Sequence, residues 1–166
     1  MNKISFIQDM DEALLVMYSV SRWIQESGLK PSQWWRPENM NRGFLLKHTE
    51  PGEYCVAIIN GKSAASMVIQ TTERNQSWKS VDGNKPKKAL YIHWLCVHRD
   101  FAGENLPKNM IDFAAKQARR QNIKFLRVDT NAKEVKLREI YEKLGFSLMS
   151  IEQEDYRNTA FYQKIV

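Results

Sequence analysis

The stretch 90–108, LYIHWLCVHRDFAGENLPK, decides the fold. Its first half completes an unbroken apolar run, 89–97 (ALYIHWLCV), which reads as a buried strand. Its second half passes through a loop containing Gly103 into an amphipathic helix over 104–121. Leu106, Met110, Phe113, Ala114 and Ala118 line one helix face, and Arg119 and Arg120 complement the dipole at its end. A strand that feeds a helix through a short loop is a ready anion site. The first-turn amides point outward and the dipole favours negative charge. Every such junction offers this, so the junction alone names no ligand.

Working toward the N-terminus, residues 72–88 are polar, with Asp82-Gly83 and Pro86, and read as a long loop. Before them, 53–59 (EYCVAII) and 63–71 read as strands joined at Asn60-Gly61, a two-residue hairpin signal because both positions tolerate positive φ. Ala13, Val16, Met17, Val20, Trp23 and Ile24 recur at helical spacing over 9–27. Asp9 or Asp11 starts that helix, and Gly28 followed by Pro31 ends it. A second short helix is predicted over 38–47, with Trp34 and Trp35 in the connection.

Toward the C-terminus, 124–129 (KFLRVD) reads as a strand and 133–144 as a helix with Leu137, Ile140, Tyr141 and Leu144 on one stripe, stopped by Gly145. Two last strands follow, near 146–153 and 159–165. The unit 89–129 is strand-helix-strand, which implies a parallel, right-handed crossover. The fold class is therefore α/β or α+β: a mostly antiparallel mixed sheet with one parallel pair, flanked by helices. No linker or repeat divides 1–166, so one domain is expected.

With 43% hydrophobic and 27% charged residues, the chain has a globular balance that argues against global disorder. The formal charge of +6 suits an anionic ligand as well as nucleic acid. Lys and Arg are spread along the chain rather than set in one stripe, which speaks against a dedicated nucleic-acid binder. Cys55 and Cys96 sit inside apolar runs and read as reduced, buried thiols. No His/Cys spacing suggests a metal site. The N-terminus lacks a basic-then-apolar signal pattern, and no run approaches membrane length, so a cytoplasmic protein without a membrane partner is expected.

Four segments carry a resemblance. They are Leu95-Cys96-Val97, then Ala102-Gly103-Glu104-Asn105-Leu106-Pro107, then Leu126-Arg127-Val128-Asp129, and last Tyr141-Glu142-Lys143-Leu144-Gly145-Phe146. In this order they resemble the GNAT N-acetyltransferase superfamily, and the closing run is the most specific part. The resemblance implies acetyl-CoA as cosubstrate, its pantetheine bonded to backbone around Leu95, Cys96 and Val97. It implies a pyrophosphate held by the loop and first turn, Ala102 to Lys108. The acceptor, a small-molecule or peptide amine, would enter from the side of the N-terminal helices and the 72–88 loop.

The sequence departs from the family pattern in three places. Asn105 and Pro107 stand where Gly or Ala is usual. Asn reaches the left-handed region, so Asn105 is tolerable. Pro107 suits a first turn but has no N–H to give a phosphate. Glu134 stands seven residues before Tyr141, where many relatives carry an Asn that helps hold the cofactor.

Tyr141 matches the family's general acid for the leaving thiolate; the alternative is a core tyrosine on the stripe of Leu137 and Leu144. His93 occupies a position where some relatives, polyamine acetyltransferases among them, deprotonate the acceptor through a carboxylate. Histidine has a suitable range for that work, and the alternative is a packed, hydrogen-bonded histidine. By period two Tyr91, His93, Leu95 and Val97 share one face. Cys96 falls on the other, with nothing nearby to activate it as a nucleophile. His48 and His98 read as loop or surface residues, and Trp34 and Trp35 as an acceptor wall or as packing. Trp78 reads as an exposed aromatic on a mobile loop.

Two other readings compete with a direct-transfer N-acetyltransferase. The altered loop and Glu134 suit a catalytically weakened GNAT-fold binding or regulatory module. Lys85, Lys87, Lys88 and Trp78 together suit nucleic-acid contact, charge beside a stacking surface. Edge strands of this family often pair between subunits, which makes a homodimer one expected assembly.

Overall fold

The computed structural model describes residues 3–73 and 77–166. Its elements are β1 (Ile4–Ile7), α1 (Met10–Glu26), α2 (Arg42–Leu45), β2 (Tyr54–Ile59), β3 (Lys62–Gln70), α3 (Lys79–Asp82), β4 (Ala89–Val97), α4 (Leu106–Arg120), β5 (Phe125–Asn131), α5 (Val135–Lys143), β6 (Ser147–Gln153) and β7 (Asn158–Ile165). The strand order is β1-β2-β3-β4-β5-β7-β6. Pairs β1–β2, β2–β3, β5–β7 and β6–β7 are antiparallel, while β4–β5 is parallel. The mixed sheet with one parallel pair is the class read from the sequence. The chain divides into two compact units, Met1–Ile69 with Trp94–Met110, and Gln70–His93 with Ile111–Val166.

In the first unit, Asp9 caps α1 by accepting the Glu12 N–H at 3.0 Å. The periodic face of α1 buries Met10, Ala13, Val16, Met17 and Val20, in one cluster with Tyr54 and Val56 of β2. Trp23, counted on that face from its spacing, lies at the helix end and is 37% exposed. The β2–β3 hairpin turns at Asn60 (φ 50°) and Gly61 (φ 74°), the paired positive values its dipeptide predicts. Strand β1 carries no signal a period can reveal. Four residues at a sheet edge alternate weakly, and only pairing with β2 makes them a strand.

The helix expected over 38–47 is shorter. A 3-10 turn at Pro37–Asn39 ends at Met40 (ψ 65°), and Asn41 then starts α2 afresh by accepting the Phe44 N–H at 3.0 Å. The asparagine side chain competes for the backbone donors that a continuous helix needs.

The second unit corrects the expected 72–88 loop. Residues 74–76 of that stretch lie outside the described residues. Helix α3 forms within it, and Trp78 is 2% exposed rather than displayed to solvent. Trp78 packs edge-on against Phe161 (5.0 Å) and Tyr91 (6.1 Å). A buried indole offers no stacking face, so the competing reading of nucleic-acid contact loses its aromatic half.

Arg127 of β5 explains why Trp78 is inside. Its guanidinium lies 4.5 Å from the Trp78 ring centroid and donates to both Asp82 oxygens, at 2.6 and 2.8 Å. It also donates to Gln163 Oε1 at 3.0 Å and Tyr91 OH at 3.3 Å. The Arg127 side chain is fully buried and Asp82 nearly so. Glu73 accepts the Trp78 N–H at 3.0 Å and a hydrogen bond from Ser77, which fixes the start of α3. Of the stripe expected on α5, Tyr141 is buried but Ile140 is 43% exposed. Gly145 (φ 87°) ends the helix as expected.

Candidate active site

In the first unit, β4 delivers Leu95, Cys96 and Val97 to the mouth of a loop. Trp94, just before them, has φ 48° inside the strand. A bulky residue there is strained by about 1–3 kcal/mol and is held by its surroundings. Its indole Nε1–H donates to the Trp34 carbonyl at 3.2 Å, and its ring meets Trp34 edge-on at 6.2 Å. The period-two face therefore holds for Tyr91 and His93 and is not counted through Trp94 to Leu95 and Val97. Trp34 also meets Phe44 (5.9 Å) and His48 (4.9 Å), so His48 belongs to an aromatic cluster instead of bare surface.

Cys96 is buried, its sulfur 3.4 Å from Ser66 Oγ. Burial pushes its thiol up to about 12, which keeps it protonated and inert as a nucleophile. Cys55 is pushed up to about 12 by burial as well.

After Val97 the chain makes a 3-10 turn at Arg99–Phe101, and α4 begins at Leu106. Ala102, Gly103, Glu104 and Asn105 are exposed, as is Lys108. Gly103 (φ 91°) and Asn105 (φ 55°) are both left-handed. Asn105 thus adopts the geometry for which glycine is usual. Leu106 is buried and anchors the first turn. The exposed backbone of this loop and the α4 N-terminus fit a phosphate group. Pro107 subtracts one donor from that first turn.

The second unit holds Tyr141, His93 and Glu134. Tyr141 is 7% exposed and packs against Phe146 (5.8 Å) and Tyr162 (6.2 Å). Burial first, and the charge of Asp129 second, raise its hydroxyl well above the ordinary tyrosine range. The hydroxyl therefore stays protonated at neutral pH. His93 Nδ1 lies 4.0 Å from Asp129 Oδ2, and the histidine side chain is 29% exposed. Asp129 Oδ1 accepts from Arg157 Nη2 at 2.8 Å. Glu134 precedes α5, is exposed, and makes no side-chain capping bond.

Sequence reasoning placed Asp129 inside a motif without giving it a role, and it missed Arg157. For Asp129 the strand was legible in the sequence but its register was not: the pairing of β4 with β5 puts His93 and Asp129 two residues beyond Tyr91 and Arg127. For Arg157, in the turn between β6 and β7, no periodic signal exists.

A cavity of about 510 Å³ also lies in this unit, lined by Trp78, Asp82, Lys87 and Tyr91 among others. Its acidic members Glu73 and Asp82 are engaged in capping and ion pairing. No helix among the described residues is long and apolar enough to cross a membrane.

The model of the acetyltransferase (GNAT) family matches residues 15–146. A GNAT-family acetyltransferase of Listeria monocytogenes is 25% identical with a TM-score of 0.71, covering 99% of this chain and 95% of that one. A GNAT-family acetyltransferase of Streptococcus agalactiae is 19% identical with a TM-score of 0.75, covering 98% and 95%. The PaiA N-acetyltransferase of Thermoplasma acidophilum, solved with coenzyme A, is 14% identical with a TM-score of 0.69, covering 99% of each chain. No curated protein matches the sequence.

Proposed function

Because the chain belongs to the acetyltransferase (GNAT) family, we propose that it moves an acetyl group from acetyl-CoA to an amine by direct transfer. Tyr141 acts as general acid and His93 as base. The observation that carries this reading is geometric: Tyr141 is buried against Phe146 and Tyr162, in the unit that also holds the part-exposed His93 beside Asp129.

Backbone groups of Leu95, Cys96 and Val97 align the pantetheine, and the loop from Ala102 to Lys108 receives the pyrophosphate. A relative solved with coenzyme A supports an acyl-CoA as donor. His93 accepts one proton from the acceptor ammonium, which leaves a neutral amine to attack the thioester carbonyl. As the C–N bond forms and the C–S bond breaks, Tyr141 gives its proton to the departing sulfur. The nitrogen's second surplus proton replaces the one Tyr141 gave, and the proton on His93 leaves to solvent. Holding both reactants in line supplies much of the acceleration.

A second reading is supported by Pro107 and Glu134: a GNAT-fold module that binds acyl-CoA weakly and signals by it. One experiment separates the two. The protein is incubated with acetyl-CoA and a panel of primary amines, including polyamines and lysine-containing peptides, and thiol release is followed. Amine-dependent release that His93→Ala diminishes supports the enzyme. Acetyl-CoA binding by calorimetry without release on any amine favours the module. No binding at millimolar acetyl-CoA overturns both.

A further inference from the structure

We infer that Asp129 is a positioning residue for His93, fixing which ring nitrogen carries the proton, and that Arg157 holds Asp129 in that task. The inference rests on the reading of His93 as the base and deepens it.

The paired positions of β4 and β5 are Ala89↔Phe125, Leu90↔Leu126 and Tyr91↔Arg127. Matched residues on parallel strands share a face, and Tyr91 and Arg127 do meet, at 3.3 Å. Alternation makes His93 and Asp129 the next rung on that face. Their side chains lie at ion-pair distance, 4.0 Å between Nδ1 and Oδ2. Contacts of this kind commonly tighten when substrate arrives.

The Asp129 carboxylate is oriented from behind. Arg157 Nη2 donates to Oδ1 at 2.8 Å, which leaves Oδ2 directed at His93. Arg157 is itself held: its Nε donates to Thr159 Oγ1 at 3.0 Å and lies 3.9 Å from Glu154 Oε2. Glu154 accepts from Thr159 in turn. Asp129 and Arg157 are 18% and 19% exposed, so their charges act with less screening than at open surface.

A carboxylate beside Nδ1 favours the tautomer with its proton there and puts the basic lone pair on Nε2. Nε2 then takes the proton from the acceptor ammonium, and Nδ1 keeps its own. The same carboxylate helps keep Tyr141 protonated.

The test reads imidazole ¹⁵N shifts of the labelled full-length protein at about pH 9, where ordinary histidine is neutral. His48, His93 and His98 are the three histidines, and His93→Gln identifies the relevant signals by their loss. The expected result is an Nδ1–H tautomer for His93 in the wild type, changing to Nε2–H in Asp129→Asn. A wild-type Nε2–H tautomer, or a folded Asp129→Asn protein with unchanged tautomer, overturns the inference. The wild-type spectrum alone decides the case if the variant does not fold. Failure of the base reading looks different: His93→Ala turns over normally whatever the tautomer.

Discussion

Tyr141 sits where two demands on one side chain meet. Its ring fills space between Phe146 and Tyr162, as a core tyrosine would, and its hydroxyl is kept protonated by burial and a neighbouring carboxylate. Removing only the oxygen separates the demands. Tyr141→Phe is expected to lower kcat about 100-fold, the ordinary scale of a general acid, with acetyl-CoA KM and thermal midpoint nearly unchanged. Steady-state kinetics beside a melting curve checks this, and unchanged kcat removes the assigned role. The run around Tyr141 made the residue legible from sequence. Asp129 was equally present in the sequence, but an aspartate two residues past a motif arginine acquires meaning only when a strand places it beside His93.

Two elements carry the next predictions. The short helix α3 is tied to β5 by the buried Arg127–Asp82 pair. Asp82→Ala strands a buried guanidinium, and breaking such a pair costs about 3–5 kcal/mol; urea unfolding measures it. Burial alone would raise the Asp82 carboxyl, but hydrogen bonds from Arg127 and from the Lys87 N–H outweigh it, and the value is held below the usual range. A depressed carboxylate contributes stability that is fully present above the unfolded value, about 3.9, and lost as pH falls through the folded value. The gap between wild type and Asp82→Ala is therefore constant from neutral pH down to about pH 5 and shrinks below about pH 4.

The start of α4 gives the other prediction. Pro107 removes one first-turn donor that a bound pyrophosphate could use. Pro107→Ala restores the N–H and is expected to tighten acetyl-CoA about tenfold by calorimetry, the worth of one charge-assisted hydrogen bond. An unchanged or weaker Kd means the position does not face the phosphate. Asn105 needs no such repair, since it holds φ 55° without glycine.

Across the whole molecule, what the sequence determined is what local periodicity and turn chemistry encode. Apolar runs of strand length, helical stripes, the Asn60-Gly61 turn and the Gly145 stop set most of the elements and the parallel pair, and the resemblance of four motifs pointed to the family. Each of those signals is carried by residues contiguous in the chain. What only the tertiary structure decided depends on residues far apart in the chain. Trp78 looked exposed because its neighbours are polar, yet Arg127, Tyr91 and Phe161 bury it. Strand β1 exists because β2 offers its edge, and Asp129 faces His93 because two parallel strands share a register. A polar side chain is read from sequence as solvated by default. Only packing supplies the partner charge that makes its burial stable.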